Sequence, residues 1–374
     1  MRRNYMKIAI FSFFSGIGFL DLGFESAGYD VVYVNEFHEA FLNGYKYSRR
    51  ILKKDEPEHG YYLGDIKDYA NGHAKDLAER IKAARSNYDL IGFIGGPPCP
   101  DFSVGGKNRG HKGENGILSQ VYVDLICEMK PDFFLFENVK GLWSTQKHRE
   151  FYEKLKKKVH KEGYSITDKL TNCIEYGVPQ DRWRIFLFGT RADSLKDTRH
   201  AGKYNGRLND FDWEAKTLYT ADEAFGFPWP KTSPFKINSD LHRPKEVPID
   251  LATQTWFLKN DTNNHPNSEH CFKPKAALEK FKVIEEGDDS RKSYKRIHRW
   301  RYSPTACYGN NEVHLHPYKA RRLNVAETLA IQSLPGDFEL PSDMTLTNMF
   351  KGIGNGVPYL AAKGVAETIK EYFE

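Results

Sequence analysis

Tyr88-Asp89-Leu90-Ile91-Gly92-Phe93-Ile94 runs directly into Gly95-Gly96-Pro97-Pro98-Cys99-Pro100, and Phe133-Phe134-Leu135-Phe136 runs directly into Glu137-Asn138-Val139. Both apolar runs read as buried parallel strands, and in open α/β sheets ligand sites lie just past strand C-termini. Gly-Gly-Pro-Pro can be neither helix nor central strand, so it projects Cys99 from a stiff loop. A lone cysteine is more often a small buried hydrophobe. Here the loop before it and a glutamate 38 residues later, at the end of the next strand, pair a nucleophile with an acid.

Working outward, Lys7–Phe14 reads as a strand, Gly16–Gly18 as a turn and Leu20–Ala27 as a helix. Val31–Val34 is a second strand ending at Asn35-Glu36, and a short extended piece precedes Gly64-Asp65-Ile66. Helices are expected over Ala74–Ser86, Leu118–Lys130 and the basic stretch Glu150–Lys161, with a further strand at Ile185–Gly189. This alternation predicts an α/β fold with a doubly wound, mostly parallel sheet. From about Thr190 to Ser303 periodicity fades, and Pro, Asn, Asp and Trp become frequent. It returns at Arg321–Ser333 and Val357–Glu371, both expected as helices. Three parts are expected: residues 1–190, a loop-rich insert over 191–303, and a C-terminal segment over 304–374.

The 374 residues suffice for one large and one smaller domain. A 40% apolar and 28% charged composition is that of a soluble globular chain. There is no apolar run near 18 residues, so no membrane span is expected. The N-terminus leads into a strand rather than a secretory signal. Net charge is +5, which permits nucleic-acid binding without indicating it. Five cysteines without a C-x-x-C pair argue against a disulfide framework and a zinc site, and fit a reducing cytoplasm. No metal is expected.

Gly16 and Gly18 lie between a strand and a helix, where glycine permits close backbone approach and a helix N-terminus offers free N–H groups. Glu36 ends the second strand, where a carboxylate can hold both ribose hydroxyls. The same pattern would serve NAD, or be only a turn. Phe19-Leu20-Asp21 interrupts the dinucleotide fingerprint.

Phe14-Ser15-Gly16-Ile17-Gly18, Pro98-Cys99, Glu137-Asn138-Val139, Gln180-Asp181-Arg182-Trp183-Arg184, Arg321-Arg322-Leu323 through Gln332-Ser333-Leu334-Pro335, and Gly354-Asn355-Gly356-Val357-Pro358 follow one another in this order. The set resembles the C5-cytosine DNA methyltransferase family of bacterial restriction–modification systems, over most of the chain. Any one motif is weak alone, but in order they are specific. The resemblance implies a Rossmann-like catalytic domain, a target-recognition insert, and a C-terminal part that returns to the catalytic domain. It implies S-adenosylmethionine as cofactor, held by Phe14, Ser15, Gly16, Ile17, Gly18, Glu36, Phe37, Asp65, Ile66, Pro98, Leu118, Asn355 and Val357. Phe19 stands where many relatives have a second glycine, a change expected to alter helix packing rather than the ligand.

The implied reaction needs these residue types. Cytosine C5 is a poor nucleophile until a thiolate adds at C6, and cysteine is the best covalent nucleophile at neutral pH. Cys99 takes that role. A protonated Glu137 holds N3 and an arginine holds O2; Arg182 and Arg184 are the candidates, their i,i+2 spacing placing both on one face. A salt-bridged sheet edge is the bland reading of that pair.

A duplex hides C6, so the base must be flipped out. Double-stranded DNA is therefore the expected partner of a chain acting as a monomer. A companion restriction endonuclease, where one exists, is expected to act on the same site without direct contact. The Gly-rich basic loop Ser103–Lys112 supplies Ser103, Lys107 and Arg109 as DNA contacts. A second basic stretch supplies Arg291, Lys292, Lys295 and Arg296, with Arg299 and Arg301 nearby, interleaved with Tyr294, Trp300 and Tyr302. Thr305 is added to this set. Such a pattern suits phosphate contact, and a solvated helix face would look similar.

Three alternatives compete. A zinc deaminase needs P-C-x-x-C, which Cys99-Pro100-Asp101-Phe102-Ser103 lacks. A catalytically inactive DNA-binding relative would be expected to lose Cys99 or Glu137. A tRNA methyltransferase of the same superfamily would usually carry Cys-Phe-Thr in the insert, where this chain has Cys271-Phe272-Lys273.

Overall fold

Ile8–Phe13 (β1), Leu90–Gly95 (β4) and Phe133–Val139 (β5) are almost free of polar side chains, and they lie side by side at the centre of one sheet. Runs apolar on both faces can be satisfied only where helices cover both sides. The computed structural model describes residues 6–98, 114–195, 208–306 and 312–374. Its seven-stranded sheet has the order β3-β2-β1-β4-β5-β7-β6, completed by Asp30–Glu36 (β2), Tyr61–Leu63 (β3), Tyr164–Asn172 (β6) and Trp183–Arg191 (β7). β7 runs antiparallel to both neighbours and the other pairs are parallel.

The helices are Phe19–Ser26 (α1), Glu39–Ile51 (α2), Ala74–Ala84 (α3), Glu114–Met129 (α4), Lys140–Ser144 (α5) and Gln146–Lys161 (α6). Ala221–Gly226 (α7), Thr253–Lys259 (α8) and Leu278–Lys282 (α9) follow in the insert. Val325–Ile331 (α10), Leu346–Asn355 (α11) and Tyr359–Phe373 (α12) close the chain. One face of the sheet is covered by α1, α2 and α12, through Leu20, Phe24, Tyr45, Val365 and Ile369. The other is covered by α3, α4 and α6, through Leu77, Ile81, Tyr122, Ile126, Tyr152 and Val159. α1 and α12 approach closely because Gly23 has no side chain: a Cβ there would lie 2.5 Å from that of Ala362. The C-terminal helix thus returns to the catalytic sheet.

The chain leaves β1 for β2 and β3 on one side, then comes back to β4 on the other. β1 and β4 therefore flank the topological switch point, where doubly wound sheets bind ligands. Phe13 pairs with Gly95, and Gly95 pairs with Phe136. The segments beginning at Phe14, Gly96 and Glu137 accordingly emerge from one edge, side by side.

Several elements differ from expectation. β6, α2 and α11 carried no clear sequence signal. β6 is an edge strand whose middle, Ile166–Leu170, is only half-buried, so it shows neither an apolar run nor clean alternation. The helix expected over Arg321–Ser333 is confined to Val325–Ile331. Asn324 caps it, accepting from the Glu327 N–H while Glu327 accepts from the Asn324 N–H, so Arg321 and Arg322 precede the helix. The boundary drawn at 191 is not a break in packing: Leu208, Phe211 and Trp213 join the main core beside Phe188 and Tyr372. Trp256 and Phe257 of the insert share a second core with Ile17, Phe19, Leu329 and Phe350.

Candidate active site

At the end of β1, Phe14 and the following glycines make the sharp exit. Phe14 has φ +54°, Gly16 +58° and Gly18 +91°, the left-handed values that glycine tolerates best. A Cβ at Gly18 would also lie 2.8 Å from the Tyr45 ring. The loop is held from β2: the Ser15 N–H donates to Asn35 O and the Gly16 N–H to Glu36 Oε2 at 2.8 Å. The other Glu36 oxygen accepts from the His38 N–H at 2.7 Å. Burial raises the Glu36 carboxyl, and these N–H donors pull against that rise. Next to it Phe37 is 70% exposed, an aromatic face open to solvent at the mouth of the crevice. Asp65 caps the 3-10 turn beginning at Ile66 by accepting from the Lys67 N–H.

The remaining expected cofactor residues fall into two groups. Phe14, Pro98 and Leu118 are half-buried and Asn355 is exposed, while Ser15 is buried with its Oγ lacking a hydrogen-bond partner among the described residues. Ile17, Ile66 and Val357 are buried in the cores beneath. The Phe14 ring stands edge-on to Tyr122, centroids 5.9 Å apart.

Glu137 sits where the second crevice wall begins. It pairs with Phe186 across β5 and β7, so Arg184, two residues earlier in β7, shares its face of the sheet. Arg184 Nε lies 2.8 Å from Glu137 Oε1, with both side chains about nine-tenths buried. The contact is an ion pair out of line for a hydrogen bond, and Oε1 has no hydrogen-bond partner among the described residues. Burial raises the Glu137 carboxyl above its ordinary value, against the pull of Arg184 and Arg182. From the neighbouring strand β4, a Cβ on Gly96 would lie 2.6 Å from Glu137 Oε2. The backbone leading into Pro97-Pro98 therefore passes in contact with the carboxyl. Sequence reading missed Gly96, although the double glycine was its signal.

Arg182 is committed elsewhere. Its guanidinium donates to the carbonyls of Gly354 (2.6 Å), Gly356 (3.0 Å) and Ala306 (3.4 Å), tying β7 to the C-terminal segment. Of the two arginines, Arg184 is the one in contact with the acid. Gln180 makes a similar tie, donating to Ile331 O and Gln332 Oε1 and accepting from the Ala306 N–H.

Cys99, Ser103, Lys107 and Arg109 lie outside the described residues. The three described cysteines are not activated. Burial pushes the Cys173 thiol up to about 12 and Cys127 up to about 11, and raises Cys271 as well.

The second basic stretch needs correction. Arg296 has no exposed surface, and its guanidinium donates to the carbonyls of Ile284, His316 and Phe281. It is a core residue that cannot reach a phosphate without unpacking the insert. Arg299 is buried against Glu286 at 2.7 Å, and Arg301 pairs with Asp289. Only Arg291, exposed and paired with Asp288, exposed Lys292 and half-buried Lys295 remain at the surface. No helix forms there, because Arg296, Ile297, His298 and Arg299 are buried in succession. Thr305 is exposed, its hydroxyl donating to Asp181 O.

The family model of C-5 cytosine-specific DNA methylases matches residues 8–371. The chain belongs to that family. It is 54% identical to the type II methyltransferase M.NmeDI of Neisseria meningitidis serogroup C, over 100% of this chain and 86% of that protein. It is 30% identical to the type II methyltransferase M.MthTI of Methanothermobacter thermautotrophicus, over 99% of each. Solved structures share the fold. A DNA modification methyltransferase assigned to an E. coli prophage superposes with TM-score 0.64 at 23% identity, covering 98% of this chain and 99% of that one. The Dnmt2 methyltransferase of S. pombe gives TM-score 0.57 at 14% identity, covering 98% of each. The chain is thus an enzyme, a DNA cytosine-C5 methylase of the restriction–modification type. Among the described residues no helix is long and apolar enough to cross a membrane.

In this methylase the Phe19 ring packs edge-on to Phe338, and a Cβ on Gly356 would lie 2.2 Å from it. The bulk faces the C-terminal segment.

Proposed function

We propose that this methylase transfers a methyl group from S-adenosylmethionine to C5 of a cytosine flipped out of a specific duplex DNA sequence, through a covalent bond between Cys99 Sγ and C6. The cofactor crevice fits on its own terms: a left-handed glycine turn, an acidic strand end and an exposed aromatic ring converge at the switch point. The bound cofactor supplies the electrophilic methyl group. Glu36 would hold the ribose hydroxyls of that cofactor, Phe14, with the exposed Phe37 beside it, would pack against the adenine, and Asp65 would face the adenine amino group.

Cys99 thiolate adds to C6, and the electron pair of the C5–C6 double bond moves toward N3 and O2. Glu137, whose carboxyl burial raises against the pull of Arg184 and Arg182, hydrogen-bonds N3 in its protonated form and stabilises that charge, while Arg184 holds O2. C5 then takes the methyl group, the S–CH3 bond of the sulfonium breaking with its electron pair left on sulfur as S-adenosylhomocysteine. Loss of the C5 proton to a base and expulsion of the thiolate from C6 restore the aromatic ring and free Cys99.

The observation that carries this reading is the contact between Glu137 and the backbone of Gly96, three residues before Cys99. Acid and nucleophile loop meet at one strand edge. The test is a duplex containing 5-fluorocytosine at the target, identified first by bisulfite sequencing of host DNA. The parent chain should form a complex stable to denaturation and Cys99→Ser should not. An equal adduct with the serine variant would exclude Cys99 as nucleophile.

A further inference from the structure

Helix α6 carries Lys147, Arg149, Lys154, Lys156, Lys157, Lys158 and Lys161 against Glu150 and Glu153, a formal charge of +5. The whole chain carries +5, from 55 basic and 50 acidic residues. The 48 basic and 48 acidic residues outside this helix cancel, so the entire formal excess of positive charge sits on one element. His148, Tyr152, Leu155 and Val159 fix the buried side. Three of the cations are neutralised locally: Arg149 by Glu153, Lys156 by Asp168 and Lys158 by Asp124. Lys147, Lys154, Lys157 and Lys161 are exposed and make no ion pair among the described residues. Their spacing of seven, three and four puts them on one stripe opposite the buried side, with Glu150 the one acid in the same arc. The stripe spans about 21 Å at 1.5 Å per residue.

The topology fixes its direction. α6 connects β5 to β6, which runs the same way as β5, so the helix travels back across the sheet. Lys147 lies near the edge that carries Glu137, and Lys161 toward the opposite edge. A duplex engaged at the active site would lie across that first edge and leave the Lys161 end of the stripe uncovered.

We propose that the outer face of α6 binds the phosphate backbone of duplex DNA outside the target sequence, as a second contact surface for non-specific DNA. This rests on the reading of the chain as a DNA methylase. Four exposed lysines on a rigid helix supply charge without base-reading groups, which fits affinity without sequence choice. No other described element concentrates charge in this way.

The test replaces Lys147, Lys154, Lys157 and Lys161 together with Gln, and in a second variant with Arg. On a target duplex of about 12 base pairs, single-turnover methylation and affinity should stay within about twofold of the parent. On a target-free duplex of several hundred base pairs the Gln variant should bind at least about tenfold more weakly. Its salt dependence should flatten by about 0.9 for each phosphate that is no longer neutralised. The Arg variant should match the parent. Methylation of a single target in long DNA, challenged with unlinked long competitor, separates the sources. If the helix grips a second segment, competitor accelerates release of the parent but not of the Gln variant. If it grips the flank of the same duplex, competitor releases the Gln variant faster. Unchanged long-DNA affinity and salt slope would overturn the proposal, as would a loss confined to anionic lipid vesicles. A parent chain that methylates no DNA would instead overturn the functional reading beneath it.

Discussion

Arg184 Nε and Glu137 Oε1 lie 2.8 Å apart across the β5–β7 pair, a buried cation against a carboxyl that burial pushes toward protonation. Because β7 is antiparallel, Arg184 is placed by its register with β5 and not by proximity in sequence. The guanidinium is fixed before substrate arrives, so it orients the acid without a rearrangement during reaction.

Replacing Glu137 by Gln should lower the single-turnover methylation rate about 10²–10⁴-fold, the usual range for losing a general acid. Cofactor affinity should barely change, since the crevice of Gly16 and Glu36 lies across the switch point. An unchanged rate would make Glu137 a structural partner of Arg184.

Gly96→Ala should cost about 10²-fold in the same assay. The new Cβ meets Glu137 Oε2 at 2.6 Å, so either the carboxyl or the loop carrying Cys99 must shift. Thermal stability serves as the control. A parental rate would show that neither position matters to the chemistry.

Phe37→Ala should weaken binding of S-adenosylhomocysteine about tenfold by calorimetry, the scale of one aromatic stacking contact plus its buried area. The side chain is 70% exposed, so the melting temperature should hold. Unaltered affinity would remove Phe37 from the adenine site.

Arg296→Met should destabilise the fold by at least about 3 kcal/mol, because the carbonyls of Ile284, His316 and Phe281 lose their shared donor in the core. Lys292→Gln should change stability by no more than about 0.5 kcal/mol and weaken binding to all DNA alike. Denaturant midpoints and salt-dependent binding check the two. Equal stability losses would contradict the burial difference between them.

Stability should fall with pH from 6.5 toward 4. His298, His314 and His316 are buried and held at about 4 by desolvation. Between those values the unfolded chain binds protons that the native chain excludes, so unfolding becomes easier as pH drops. Each histidine contributes up to about 1.4 kcal/mol per pH unit in that window. A flat denaturant midpoint between pH 6.5 and 4.5 would show that these rings protonate in the folded state.

The sequence alone determined the central strands and the loops that follow them. Phe133–Phe136 and Leu90–Ile94 have no polar face to offer solvent, so they must be interior, and Gly-Gly-Pro-Pro and Glu137 must lie at their ends. Ordered motifs then indicated the family and the cysteine–glutamate pair. Tertiary structure alone decided which charges are available. Arg291, Arg296 and Arg299 are alike in a linear reading, yet one is exposed, one hydrogen-bonds three carbonyls in the core and one is buried on Glu286. Likewise Arg182 and Arg184 stand two residues apart at the start of β7, but only the packing of Gly354 and Gly356 draws Arg182 into the backbone of the C-terminal segment. Hydrophobic periodicity is local and survives in one dimension. The fate of a cation depends on carbonyls and carboxylates brought to it from residues far away in the chain, and only the folded chain supplies them.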